Sequence, residues 1–245
     1  MSVTRTLVVS PGATPTDGGT KLLNAMASIT PTVVSPWLIR LEPGVYDLGS
    51  SSLTLKAYIN VEGSEEQLTT ISSSVTVALP PVSGTVVMTT STEIRFVTVT
   101  NSANSPAVYV PGGATNVQLF RTSLSVGNGS FGLYNNAASG TVSVTGSTLP
   151  AGNVGFGLFN ASGTVSVSNS TFIAGNSSLF NNSGVVSVTG SILTGGAYGL
   201  ANFSIGIVKI GASQLSGGSA PVSGTAQCAA SYNGSTMIVL SSSCT

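Results

Sequence analysis

Residues 140–149 read Gly140-Thr-Val-Ser-Val-Thr-Gly-Ser-Thr-Leu149, and nearly the same phrase returns as Gly163-Thr-Val-Ser-Val-Ser-Asn-Ser-Thr-Phe172 and Gly184-Val-Val-Ser-Val-Thr-Gly-Ser-Ile-Leu193. Fainter copies flank them: Asn116-Val-Gln-Leu-Phe-Arg-Thr-Ser-Leu124 and Glu93-Ile-Arg-Phe96 before, Ile207-Val-Lys-Ile-Gly-Ala-Ser-Gln-Leu215 after. Taking the first inward apolar residue of each copy gives Ile94, Val117, Val142, Val165, Val186 and Val208, spaced 23, 25, 23, 21 and 22. A fixed period of this kind is the mark of a repeat architecture. Within each copy the Val-x-Val alternation is the period-2 signature of a strand with one buried face.

A second apolar pair follows at a constant place: Leu133-Tyr134-Asn135, Leu158-Phe159-Asn160, Leu179-Phe180-Asn181 and Leu200-Ala201-Asn202. Two or three short strands in about 23 residues, joined by Gly, Ser and Asn turns, fit one rung of a β-helix. They do not fit a propeller blade, which needs about 40 residues, and the leucine-rich repeat pattern is missing. The predicted fold is therefore all-β: a single-stranded right-handed parallel β-helix, or solenoid. Stacked rungs lie about 4.8 Å apart, so the interior is expected to hold columns of Val, Leu and Phe. Asn135, Asn160, Asn181 and Asn202 are expected to stack as a structural ladder at a turn, where Asn accepts the left-handed conformation.

The N-terminal region is organised differently. After the turn-rich link Pro11–Asp17, residues Gly19 to Ile29 place Leu22, Leu23, Met26 and Ile29 at helical spacing. A short amphipathic capping helix there would shield the open end of the first coil. The expected organisation is 1–30 for an N-terminal strand and capping helix, 31–224 for coils, and 225–245 for a C-terminal cap.

Cys228 and Cys244 are the only cysteines, and there is no His to complete a metal site. A disulfide closing the terminal loop is the simplest reading, two separate buried thiols the alternative. The first favours an extracellular or cell-surface location. The chain opens Met1-Ser2-Val3-Thr4-Arg5 and runs directly into Leu7-Val8-Val9, without the pattern of a secretory leader. Either export follows another route or a leader has been removed. No stretch reaches the roughly 18 apolar residues of a membrane helix, so no membrane insertion is expected.

Charge is scarce. Of 245 residues, seven are Lys or Arg, seven are Asp or Glu, and every charged side chain except Lys209 lies at or before Arg121. A soluble domain ordinarily carries roughly 25% charged residues, against 6% here. General acid–base chemistry requires titratable side chains, and the half from Thr122 to Thr245 offers Lys209, two cysteines, Tyr134, Tyr198 and Tyr232 but no carboxylate side chain. Net charge is zero and no basic cluster exists, which argues against nucleic acid. Nothing in the pattern calls for a metal or a cofactor.

The segment Trp37-Leu-Ile-Arg-Leu-Glu-Pro-Gly-Val-Tyr-Asp-Leu48, followed by Tyr58-Ile-Asn-Val-Glu-Gly-Ser-Glu-Glu-Gln-Leu-Thr-Thr-Ile71, resembles the opening coils of bacterial proteins of the pectin-lyase-like superfamily. The resemblance covers residues 3 to 75 in motif and the remainder by coil period. Gly63 matches the first glycine of that pattern, while Glu65 stands where a second often occurs. The two-cysteine ending also resembles that of secreted members.

The resemblance implies the fold, and the superfamily includes lyases, hydrolases, tailspikes and adhesins. Its polysaccharide-cleaving members use acidic clusters, a Lys or Arg base, or calcium-binding carboxylates on the outer face. Carried over residue by residue, this leaves Asp17, Glu42, Asp47, Glu62, Glu65, Glu66 and Glu93, with Glu62, Glu65 and Glu66 the one local cluster. That cluster is expected to be a solvated loop tip, and no catalytic residue is assigned. Arg95 and Arg121 need not share a face; the readings are pairing of arginine with Glu93 and, as the alternative, a basic pair that binds substrate.

One outward feature remains: Thr141, Ser143, Thr145, Thr164, Ser166, Ser168, Ser187 and Thr189 form rows of small hydroxyls on a flat, uncharged face. The leading expectation is a non-enzymatic extracellular structural protein that associates with itself, as a homo-oligomer or filament. The alternatives are a module binding ice or a neutral glycan through the hydroxyl face, and a degenerate polysaccharide lyase or hydrolase working from residues 42–95. Sequons at Asn128, Asn160, Asn169, Asn176, Asn181, Asn202 and Asn233 arise readily in such a composition.

Overall fold

The structure, a computed structural model, describes residues 3–78, 80–203 and 205–245; Met1 and Ser2 of the predicted N-terminal segment lie outside the described residues. It is mostly β, a parallel β-helix of about 8 turns with one helix near the N-terminus. Each regular coil contributes three strands, for example Thr141–Thr145, Thr148–Pro150 and Phe156–Asn160. These build three faces, called sheets 1, 2 and 3. Sheets 1 and 2 are hydrogen-bonded as one 17-stranded sheet, because Thr92–Asn101 and Val117–Val126 run unbroken round the corner between them. Sheet 3 is separate and 8-stranded.

Parallel stacking places like on like. Val142, Val165, Val186 and Val208 form one interior column, Leu149, Phe172, Leu193 and Leu215 a second, and Leu158, Leu179 and Leu200 a third. All are buried. At roughly 1.5–3 kcal/mol for each such side chain, these columns are the main favourable term in a chain with few charges.

The structure corrects one register. Ile94 pairs with Leu119 and Thr92 with Val117, a shift of two residues from the expected alignment. A two-residue shift keeps the same face inward, so alternation alone does not detect it. Its consequence is that Arg95 aligns with Phe120.

Two polar ladders run along the corners. Asn135 Nδ2 donates to Asn160 Oδ1, Asn160 to Asn181 and Asn181 to Asn202, each at 2.8 Å, with all four residues buried. None of the four has positive φ; contrary to expectation they end their strands in extended conformation and point inward. A second ladder lies at the corner between sheets 1 and 2. The backbone N–H of Thr122, Ser147, Ser170, Ser191 and Ser213 each donates to the serine Oγ one coil on, at 3.1–3.3 Å. Those hydroxyls donate in turn to the carbonyl two residues back, as Ser170 does to Ser168 O at 2.8 Å. Both ladders satisfy buried groups that would otherwise cost about 1–3 kcal/mol each.

The aromatic residues also depart from expectation. Phe172 is interior, but Tyr109, Tyr134, Phe159 and Phe180 stack on the outer side of sheet 3, with successive centroids 6.1, 5.1 and 4.8 Å apart. Leu158 takes the inward position and its neighbour Phe159 must then face out.

Added elements cover part of each end, leaving the outer edge of the first strand of sheet 1 free. Strand β1 (Arg5–Val9) adds to Trp37–Leu41, and helix α1 (Pro15–Ser28) packs on Gly44–Asp47. The helix begins four residues before the predicted Gly19. Thr14 and Asp17 form a capping box, each side chain accepting from the other's backbone N–H at 3.2 Å, and Pro15 suits the first turn. Lys56 Nζ donates to Ala27 O at 3.0 Å and Ile29 O at 2.6 Å, satisfying carbonyls at the other end. At the C-terminus, Gln227–Ala229 and Tyr232–Asn233 extend sheets 1 and 2 into the predicted cap. The tail returns over them: Ser242 O accepts from Cys228 N at 2.9 Å, and a Cys228–Cys244 disulfide ties it down.

Tyr46, from the Pro-Gly-Val-Tyr turn, is fully buried and its hydroxyl donates to Val9 O at 2.7 Å and Glu42 O at 2.9 Å. Burial first, then the Glu42 charge, pushes its pKa from 10.0 up to about 12, against a smaller lowering by the bond to the Glu42 backbone. Burial also raises Tyr134, with Tyr109 adding to it. A phenol raised in the folded state contributes stability below pH 10 that is lost as pH rises through the folded value. Thermal melts should therefore change little between about pH 7 and 10 and fall steeply toward pH 12, with Tyr46→Phe showing a shallower fall. An equally steep fall in that variant would remove Tyr46 as the cause.

Candidate functional site

The outer face of sheet 1 changes character along its length. In the early coils the register brings Arg40, Glu62 and Arg95 into one outward column, with Asn60 and Glu93 beside them. Arg95 lies between two carboxylates: its Nη2 is 2.6 Å from Glu62 Oε2 and its Nη1 3.4 Å from Glu93 Oε2. Arg40 Nε approaches Glu62 Oε1 at 3.7 Å, and Asn60 Nδ2 donates to Glu93 Oε2 at 3.2 Å. The pairing of Arg95 with Glu93 agrees with the sequence expectation; the tighter partner, Glu62, is 33 residues away and carries no such signal.

Beside this face, at the corner toward sheet 2, Arg121 lies over the Phe96 ring at 5.2 Å, and Phe96 meets Phe120 edge-on at 5.5 Å. Arg121 Nε is 4.0 Å from Glu66 Oε1. Glu65 is exposed, but Glu66 is half-buried, so the expected solvated tip holds for only one of the pair. Burial raises the Glu66 pKa above 4.5, and Arg121 lowers it by less. Arg95 and Arg121 thus occupy adjoining places, one on the face and one at its corner.

That corner is conformationally unusual. Phe96 and Arg121 have φ of 55° and 48°, where later coils place Gly146, Asn169 and Gly190. Bulky side chains in the left-handed region cost of order 1–3 kcal/mol each and persist where the surroundings hold them. Here they project two large groups over the margin of sheet 1, beside the half-exposed Phe120.

Farther along, the face becomes the predicted hydroxyl lattice. Thr141 stacks on Thr164, Ser143 on Ser166 and Ser187, and Thr145 on Ser168 and Thr189. All eight are exposed or half-exposed, and Thr145 Oγ1 and Ser168 Oγ lie 3.1 Å apart. The rows are less uniform than the sequence suggests: the first continues as Val185 and Ile207, the second ends on Lys209 and Gln227. There the returning tail forms one wall of an open groove of about 600 Å³, lined by Ser187, Thr189, Lys209, Gln227 and Ser242.

Chemically, this face offers hydroxyls, guanidinium–carboxylate pairs, an accessible phenyl ring and one amine. Glu62, Glu66 and Glu93 are each opposite an arginine, Asp17 caps α1 and Asp47 accepts from Gly49 N. Among the described residues no three of His, Cys, Asp and Glu come together as a metal-binding group. Asn160, Asn181 and Asn202 are buried in their ladder, so their sequons are closed to modification in the folded chain.

No protein-family model matches the chain, and no curated protein matches it in sequence. Solved structures do match its shape. Pectate lyase Pel9A aligns over 95% of this chain and 70% of its own at a TM-score of 0.68 and 18% identity. Pectin methylesterase PemA from Erwinia chrysanthemi aligns over 99% and 92% at 0.62 and 14%. A pectin methylesterase in complex with a hexasaccharide aligns over 90% and 86% at 0.60 and 13%. The chain has the pectin-lyase-like parallel β-helix fold. Among the described residues no helix is long and apolar enough to cross a membrane, and the disulfide is consistent with secretion.

Proposed function

We propose that this protein is a non-enzymatic extracellular β-helix that binds a polysaccharide along the outer face of sheet 1. The observation that carries the reading is the continuity of that face: Phe120 and the Arg95 pairs at one end, hydroxyl rows in the middle, and the Lys209 groove at the other. A glycan laid along the axis meets the same hydroxyl spacing about every 4.8 Å, so weak hydrogen bonds repeat in register with a repeating ligand. Phe120 supplies an apolar surface for sugar C–H groups, and the half-exposed Glu62–Arg95–Glu93 network beside it offers polar atoms to sugar hydroxyls. The fold is shared with pectin methylesterases and a pectate lyase, which is in keeping with a carbohydrate ligand.

The non-enzymatic part rests on the carboxylates. A glycosidase pair requires one protonated and one ionised carboxyl facing the same bond. Here the Glu62 and Glu93 carboxylates are both tied to the guanidinium of Arg95 instead, which leaves neither held out toward a substrate bond.

Affinity electrophoresis through gels containing a neutral glucan, a galactan or pectin tests the proposal. Retardation by at least one is expected. Ser166→Lys, in the centre of the lattice, and Phe120→Ala should each weaken it about tenfold, the loss of roughly one good contact. Retardation unchanged in both variants would place binding elsewhere.

A further inference from the structure

The edge where sheet 3 turns into sheet 1 carries two exposed apolar tips. At its N-terminal end the loop 30–36 leads into Trp37 and exposes Val33 by 66% and Val34 by 82%. Seven rungs on, counting along sheet 1 from Trp37–Leu41 to Ile207–Gly211, Phe203 is 58% exposed, Ile205 85% and Ile207 52%. Phe203 terminates the aromatic stack, 5.3 Å from Phe180. The turns between the tips, at 89–91, 111–116, 136–140, 161–163 and 182–184, contain no charged side chain. The remaining one holds Lys56, which is engaged with the carbonyls of α1.

We propose that this edge is an interface with a second copy of the chain, the two solenoids lying antiparallel so that Val34 of each meets Ile205 of the other. The arrangement follows from charge and length. Between the tips Lys56 is the one charge, and Arg5, one rung before Trp37, is drawn over the Trp37 ring at 5.4 Å, so the edge can meet itself while desolvating little charge. A two-fold axis across the solenoid brings the small valine tip of one copy onto the larger Phe203–Ile205 tip of the other at both ends, the self-complementary contact of a closed dimer. Parallel pairing would instead set the two Lys56 groups side by side, whereas antiparallel pairing keeps them several rungs apart. Seven rungs span about 34 Å, and over that length a strip about 24 Å wide reaches the roughly 800 Å² per partner of a stable interface. Stacking end to end would set the free edge of Arg5–Val9 against the tail-covered end of sheet 1, since α1 covers the start of sheet 2 and the disulfide-bound tail covers the ends of sheets 1 and 2.

Sedimentation equilibrium up to about 1 mM tests the pairing. The wild type is expected to approach twice its 24.3 kDa mass, while Val34→Glu and Ile205→Lys should each dissociate at least tenfold more readily. An equimolar mixture of the two variants should regain the dimer: one end then pairs Glu with Lys and the other keeps Val against Ile. That recovered dimer should weaken with salt, as the wild type should not. A monomeric wild type at the highest concentration, as expected if a glycan or a foreign protein covers the edge instead, would overturn the proposal. So would a mixture that stays monomeric. Thermal melts check that both variants fold; for one that melts low, serine at the same position gives the same mass comparison. Neither residue lies on the outer face of sheet 1, so glycan retardation by these variants separates failure of the dimer from failure of the binding face.

Discussion

Replacing Asn160 with leucine is expected to destabilise the protein by about 3 kcal/mol, read as a fall in melting temperature of about 6–12 °C for a chain of this size. The side chain is completely buried. It accepts from Asn135 Nδ2 at 2.8 Å and donates to Asn181 Oδ1 at 2.8 Å and Ser183 O at 3.1 Å. Leucine nearly preserves the volume but removes these bonds, together with a longer one to Gly163 O at 3.5 Å. Asn135 Nδ2 retains Ser162 O, whereas Asn181 Oδ1 loses this donor in a site with little access to water, the costly half of a broken hydrogen bond. Ser166→Ala, at an exposed position on the outer face of sheet 1, should change stability by less than about 0.5 kcal/mol. A melt that moves equally little for Asn160→Leu would reduce the ladder to a by-product of stacking.

A larger loss is expected at Gly163. Its φ is +85°, and a Cβ placed there would lie 1.8 Å from the carbonyl oxygen of Ala137 in the preceding coil. The obstacle is backbone, so relief requires the coils to separate, and Gly163→Ala should cost more than about 3 kcal/mol. Gly49 provides the comparison, with φ of +60° and nothing within 4 Å of the place a methyl group would take. Gly49→Ala should cost only the left-handed penalty, about 1–2 kcal/mol. Chemical unfolding of the two variants separates crowding between coils from conformational preference, and equal losses would contradict the close approach at Gly163.

How much of the fold and the face is legible in the chain follows from where each kind of information resides. The coil period is carried by local repetition, and the Val142, Val165, Val186 and Val208 column needs only an alignment of like with like. The register at Ile94 escapes this reading because its coil carries only the faint four-residue copy Glu93–Phe96, and a two-residue slip leaves every face unchanged. The start of α1 escapes it because its signal, Thr14 with Asp17, precedes the apolar spacing that locates the helix. Hydrophobicity alone puts Tyr134, Phe159 and Phe180 inside, although the adjacent Leu133, Leu158 and Leu179 already fill the inward position.

The serine ladder has a visible signal, Thr122 and then a Ser at the same place in the four following copies of the phrase, which reads equally well as turn chemistry. Burial distinguishes the two, and it depends on the corner closing. The cluster around Arg95 has no local signal, because Glu62 lies 33 residues away and joins it only through the stacking register. Scarcity of charge, in turn, gains meaning from position: Arg40, Glu62, Glu93 and Arg95 gather at one end of a face whose middle coils are neutral.

The central claim is binding without turnover on the outer face of sheet 1. It is tested most directly by incubating the purified chain with each polysaccharide while measuring bound protein, newly formed chain ends and released methanol from pectin together. The account predicts saturable binding to at least one polysaccharide, weakened by Phe120→Ala and Ser166→Lys, with chain ends and methanol at the level of the polysaccharide alone. Product that accumulates in proportion to the protein, or the absence of binding to every polysaccharide, would contradict it.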